Sequence, residues 1–200
     1  MKTDVVVVST NGAGMEEALS QAEKIGEYKH LSPKSTLHLR LLAEELMGLM
    51  RSITGEKSGQ FWVEDEDGTY MLHLLVDTRM NTVKREKLLN TSTSGKNAYA
   101  KGIMGRLRDF FDRNADQDVV AFTNPIMMSG VYDNAQDILH DVEWSMVKYR
   151  DDIYSTKDEN AEHAAAWDEL EKSVITHVAD EIKVFIHNQQ AEMVVYKKLA

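Results

Sequence analysis

The first quarter of the chain alternates short apolar runs with longer amphipathic stretches. Residues 5–8 are four valines followed by Ser9-Thr10-Asn11-Gly12, a pattern typical of a buried strand and a turn. Apolar residues then recur at helical spacing and predict a first amphipathic helix (Met15, Ala18, Leu19, Ala22 and Ile25). Ser32-Pro33 indicates the start of a second helix, because serine caps helices and proline favours their first position.

The second helix keeps its 3–4 spacing until Thr54-Gly55 (Leu39, Leu42, Leu46, Leu49, Met50 and Ile53). Two strand-like stretches, residues 60–64 and 69–77, follow on either side of an Asp-Gly turn sequence and predict a hairpin. The second of these strands is apolar on both faces, which indicates a central position in a sheet.

The rest of the chain predicts more helices and a closing hairpin. Residues 83–89 favour a short polar helix, 90–97 a Ser/Thr/Gly loop, and 103–111 an amphipathic helix. Residues 114–157 have the least regular pattern and predict one strand and one further helix or strand. A last helix is marked by Trp167, Leu170, Val174 and Val178, and residues 181–197 predict a terminal hairpin.

This order of elements lacks a regular βαβ rhythm. It predicts an α+β two-layer sandwich, with helices on one face of a mixed, mostly antiparallel sheet. We expect one domain over residues 1–200, with an insert at about 114–157.

Composition narrows the classes of function. The formal net charge of −10 disfavours binding to nucleic acid or to anionic membranes, because the whole molecule repels them. The chain has no cysteine, which excludes disulfides and thiolate-bound metals. We find no apolar stretch long enough for a membrane helix and no signal-peptide pattern, so we expect a cytoplasmic protein.

Residues 39–50, Leu-Arg-Leu-Leu-Ala-Glu-Glu-Leu-Met-Gly-Leu-Met, resemble the first motif helix of the GHKL ATPases. They are most similar to the bacterial branch that contains the anti-sigma-factor serine kinases. The surrounding order of one strand, two helices and a hairpin resembles that family too, as does the terminal pair of strands. The resemblance implies a Bergerat-type fold over residues 1–113 and 160–200. It also implies ATP or ADP as ligand, a glutamate general base, and a magnesium-binding asparagine one turn later on the helix.

Helix geometry selects the glutamate that fits this resemblance. Each residue advances about 100°, so Glu45 lies about 60° from Leu42, at the flank of the apolar stripe, while Glu44 lies about 160° away. Glu45 is therefore our candidate catalytic base. The magnesium position one turn later falls on Leu49, whose side chain cannot coordinate a cation that requires oxygen ligands. Choosing Glu44 instead places Gly48 there, so we predict no metal ligand.

Two further stretches resemble the nucleotide-binding motifs of the family. Asp77, at the end of a predicted strand, matches the aspartate that binds adenine, although Arg79 and Asn81 replace the glycines that follow it. The loop and helix start at residues 91–107 match the phosphate-binding lid, and the resemblance assigns phosphate contacts to Gly95, Lys96, Gly102 and Gly105. A P-loop does not fit, because residue 90 is not glycine and residue 97 is not serine or threonine.

Each of these features also has an ordinary structural explanation. Glu45 can be a boundary residue of an amphipathic helix, Asp77 a turn residue, and the glycines a means of close packing. The seven histidines form no metal-ligand spacing, and we interpret them as surface or core-edge residues.

The sequence therefore leads to two hypotheses. The first is a regulatory protein on a degenerate GHKL-like scaffold, which binds another protein and binds nucleotide weakly or not at all. Under this hypothesis the chain is not an efficient enzyme. The second is an active ATP-dependent serine/threonine kinase or ATPase that uses Glu45 as its base. Two further possibilities are a sandwich that binds no nucleotide at all and a chain that forms a homodimer.

Overall fold

The computed structural model describes residues 1–54, 58–77, 142–187 and 190–199. These residues form six strands and five helices. In chain order they are β1 (Val6–Ser9), α1 (Met15–Tyr28), α2 (Pro33–Thr54), β2 (Ser58–Glu66), β3 (Thr69–Asp77), β4 (Val142–Ser145), α3 (Met146–Thr156), α4 (Ala161–Lys172), α5 (Val174–Val178), β5 (Glu181–His187) and β6 (Gln190–Lys198). Within these ranges, none of the helices combines the length and apolar character that crossing a membrane demands.

The six strands form one sheet in the order β1-β2-β3-β6-β5-β4. The sequence predicted a mixed, mostly antiparallel sheet. Every pairing among the described strands is antiparallel, so this part of the sheet is not mixed. β3 lies between β2 and β6, as its two apolar faces predicted, and Leu72 pairs with Val63 on one side and Val195 on the other. The predicted α+β class is confirmed.

One face of the sheet carries the main core. Alternate residues of β2, β3 and β6 point to this face and are buried, among them Phe61, Leu72 and Met193. They pack with the apolar side of α1 and α2, which includes Leu42 and Leu46. We call this surface the helix-covered face and the other surface of the sheet the second face. Apolar residues recur every second position in the strands and about every 3.6 positions in the helices. Each element therefore has one apolar side, and these sides meet in one layer.

The helices α1 and α2 approach closely near their connection. A Cβ atom added at Gly26 would lie 2.6 Å from Oγ1 of Thr36, so this contact depends on the missing side chain. Arg40 of α2 also pairs with Glu23 of α1, with Nη1 and Oε1 2.8 Å apart. The helix pair is therefore joined by a close backbone approach and by an ion pair on its flank.

The predicted hairpin between β2 and β3 is confirmed. Its two-residue turn places Asp67 at φ 50° and Gly68 at φ 80°, and Glu66 pairs with Thr69. Two consecutive positive φ values match the twist of the flanking strands, and Asp-Gly tolerates them well. The predicted terminal hairpin is confirmed as β5 and β6.

One prediction near the C-terminus needs correction. The last helix is interrupted at Ser173, which has an extended backbone (φ −79°, ψ 123°) and separates α4 from α5. The described part of the stretch 114–157 holds strand β4 and helix α3, and residues 114–141 lie outside the described residues. Apolar spacing continues across Ser173, so the periodicity alone did not reveal the break.

Candidate functional site

Helix α2 carries the candidate catalytic residue on the border of its buried side. Glu45 is half-buried and Glu44 is exposed, as the helix geometry predicted. Leu49, one turn after Glu45, is 0% exposed and belongs to the core between α2 and the sheet. Its side chain therefore stabilises the sandwich by burying apolar surface. A residue in this position also points toward the strands rather than toward a solvent-filled cleft.

The predicted nucleotide-binding residues lie at or beyond the border of the described chain. Asp77 is the last residue of β3, and its backbone pairs with Gln190. Helix α2 packs on β3, so the elements that carry Glu45 and Asp77 are in contact. Gly95, Lys96, Gly102 and Gly105 lie outside the described residues.

No metal centre is evident among the residues that the structure describes. They contain no group of three or more His, Asp or Glu side chains close enough together to hold a metal ion. Position 49, where the resemblance expects a magnesium ligand, is an apolar core residue.

A polar depression lies at the end of the β2–β3 hairpin. It is lined by Met1, Lys29, Asp65, Glu66, Asp67, Gly68 and Tyr70. Its centre is Asp65, which points to the helix-covered face and has a side chain that is only 6% exposed. Nζ of Lys29, at the end of α1, lies 2.5 Å from Oδ2 of Asp65, and the Gly68 backbone N–H donates to Oδ1 over 3.2 Å. These contacts fasten the hairpin to α1.

The titration of these groups reflects the same contacts. The hydrogen bond from Lys29 holds the pKa of Asp65 below its ordinary value, against the opposing effect of burial. The same bond raises the pKa of Lys29. Burial raises the pKa of the Tyr70 phenol beside them. Asp65 and Lys29 therefore stay charged and paired at neutral pH, which suits a structural ion pair better than proton transfer.

A second polar cluster lies on the second face of the sheet. His73 is stacked on Trp62, with ring centroids 4.8 Å apart and planes inclined by 9°. Nδ1 of His73 is 2.7 Å from Oε1 of Glu192, and Nε2 is buried with no hydrogen-bond partner. Nε1 of Trp62 donates to Glu64 over 2.8 Å, and Lys2 contacts both the Trp62 ring and the Glu64 carboxylate.

Lys2 and Trp62, through their hydrogen bonds to Glu64, lower the pKa of that carboxyl group. A histidine oriented by a carboxylate is a common arrangement for a base or a ligand. Here, however, the free nitrogen is buried, and the ring lies flat against an indole. The geometry thus favours a packed aromatic cluster.

From sequence, His73 was expected to be an ordinary surface or core-edge residue, and no pattern singled out Lys29, Asp65 or Trp62. The Lys29–Asp65 and His73–Glu192 pairs join residues that are far apart in the sequence. One available signal was His73 itself, the only histidine within the strand that is apolar on both faces. Its neighbours could not be read from sequence, because they depend on the register between β2, β3 and β6.

Comparison with known proteins gives no further assignment. No family model matches the chain, and neither a curated protein nor a solved structure matches it.

Proposed function

We propose that this chain is a regulatory protein that acts by binding another protein, on a GHKL-like α+β scaffold with weak or absent nucleotide binding. The observation that carries the proposal is the burial of Leu49. In the resembled family the residue one turn after the catalytic glutamate binds magnesium, and here that residue is a fully buried leucine. Phosphoryl transfer relies on a metal ion to neutralise phosphate charge, so this replacement weakens catalysis more than it weakens binding.

Two further features support a scaffold role. The sheet with α1 and α2 on one face is compatible with the resembled fold at the level of its layers. In addition, β1 lies at the edge of the sheet formed by the described strands, and Val7 of β1 is 65% exposed, while Val5, just before the strand, is 49% exposed. An edge strand with exposed apolar residues favours pairing with another chain. We place the protein contact at this edge.

The test is calorimetric titration of the protein with ATP and with ADP, each in magnesium and in EDTA. We expect either no heat or binding that is equal in both buffers. If a retained pocket binds nucleotide without magnesium, Asp77→Asn should abolish that binding. Melting temperatures with and without nucleotide check each result independently, because a ligand that binds only the folded state raises the melting temperature.

Binding that requires magnesium contradicts the proposal and favours the kinase or ATPase. In that case Glu45→Gln should abolish turnover of ATP. The matched control is Glu44→Gln, because this neighbouring glutamate on the same helix is exposed. Equal loss of turnover in both variants would exclude Glu45 as the specific base.

A further inference from the structure

The helical hairpin of α3 and α4 holds a lysine ammonium between two aromatic rings. Tyr154 of α3 and Trp167 of α4 have ring centroids 5.0 Å apart and planes inclined by 54°, so the two rings form an open V. Nζ of Lys157 lies 4.2 Å from the Tyr154 centroid and 4.8 Å from the Trp167 centroid. Both distances are within the range in which a cation is attracted by the face of an aromatic ring.

The hairpin that carries these rings is fixed by its own small core. Ile153, Ala166 and Leu170 are buried together, and Trp167 packs against them. Asn160 caps α4, with its side chain accepting from the Glu162 backbone N–H over 2.9 Å. Trp167 is therefore anchored on one side, while Tyr154 is 58% exposed at the rim. The two rings are therefore accessible to solvent, and the α3–α4 hairpin that carries them is held in place by its own core.

The surroundings of Lys157 show that the rings are its main partners. In the described part of the chain no carboxylate lies within ion-pair distance of its Nζ, although Asp158 and Glu159 follow it directly and are exposed. The aromatic V thus holds a positive charge without a carboxylate beside it. The nearby acidic residues and the net charge of −10 add a long-range attraction for cations.

We propose that Tyr154 and Trp167 form a binding site for a quaternary ammonium group, and that Lys157 is an internal occupant which such a ligand displaces. A primary ammonium is strongly hydrated and has three N–H donors that the rings satisfy poorly. A trimethylammonium group has no N–H donor and presents methyl groups to the ring faces. It therefore gains the same electrostatic attraction at a lower cost in hydration.

The experiment follows the indole N–H signals of the protein by NMR during titration with choline. The chain has three tryptophans, so Trp62 and Trp144 provide internal controls for Trp167. The neutral isostere 3,3-dimethyl-1-butanol serves as the matched control ligand, because it has the same shape without the charge. We expect choline to shift the Trp167 signal alone and the neutral alcohol to leave it unchanged.

Two variants test the displacement of Lys157. Lys157→Gln empties the V and should tighten choline binding by roughly two- to fivefold, the value of an exposed cation–π contact. Tyr154→Ala should weaken binding several-fold, and an unchanged melting temperature would show that this loss does not come from unfolding. The proposal is overturned if both ligands shift Trp167 equally, if choline shifts nothing, or if Lys157→Gln binds no tighter than the natural chain.

Discussion

The helix-covered face and the second face of the sheet come from the same strands but carry different kinds of side chain. On the helix-covered face, residues such as Phe61, Leu72 and Leu74 are fully buried against α1 and α2. On the second face, His73 and Glu192 are bonded to each other, and the residues paired with His73 on either side, Trp62 and Val194, are buried. This difference shows that apolar packing on the helix-covered face specifies most of the fold, so the second face can carry polar contacts.

The largest expected effect distinguishes two adjacent leucines of β3. Leu74 is fully buried on the helix-covered face, whereas Leu75 is half-buried on the second face. Leu74→Ala should lower the free energy of unfolding by about 2–5 kcal/mol, because it removes a buried side chain and leaves a cavity. Leu75→Ala should cost less than half as much. Urea unfolding followed by circular dichroism measures both, and equal losses would show that the second face is an equal part of the core.

The next effect concerns the buried charge at the rim of the helix-covered face. Asp65→Ala removes the acceptor of the Lys29 and Gly68 hydrogen bonds and should destabilise the protein by about 1–3 kcal/mol at neutral pH. The control is Asp67→Asn in the same turn, because Asp67 is exposed and asparagine tolerates its positive φ. A loss no larger than that of the control would contradict a structural role for Asp65.

The contribution of Asp65 should also depend on pH. Its pKa is lower in the folded protein than in the unfolded chain, so its stabilisation is complete above the unfolded pKa of about 4. The stabilisation is lost as the pH falls through the folded pKa. The difference in unfolding free energy between the natural chain and Asp65→Asn should therefore be constant from neutral pH to about pH 5 and shrink below about pH 4. A constant difference down to acid pH would contradict the charged pair.

Local features of this fold could be predicted from the sequence, whereas contacts between distant residues could not. Helices α1 and α2 and both hairpins follow from local periodicity and turn residues, which act over a few positions. The break at Ser173 escaped prediction, because apolar spacing continues from Leu170 to Val174 while the backbone does not. The contacts of Asp65 and His73 escaped it because they join residues that are far apart in sequence. For the candidate site, the half-burial of Glu45 was predicted, whereas its role and that of Asp77 remain predictions.

On the second face, a smaller effect should follow from the Glu192 carboxylate. Glu192→Ala removes the oxygen that bonds to Nδ1 of His73 and should cost about 0.5–1.5 kcal/mol of unfolding free energy. Glu192→Gln keeps a side-chain oxygen at this place and should recover most of that loss. Thermal and urea unfolding of both variants measure the difference. If alanine and glutamine are equally harmful, the charge of Glu192 matters and not its hydrogen bond.

The smallest effect should come from the solvent side of the helix layer. Glu23 and Arg40 join α1 to α2, but their side chains are 39% and 31% exposed, and exposed ion pairs contribute little. In a double-mutant cycle of Glu23→Ala and Arg40→Ala, we expect a coupling below all the losses above that disappears at 1 M salt, where screening is strong. A coupling that persists at high salt would mean that the helix layer is held by its polar flank as well as by its apolar side. Apolar packing alone would then not account for the stability of the helix-covered face, and an electrostatic contribution would have to be added.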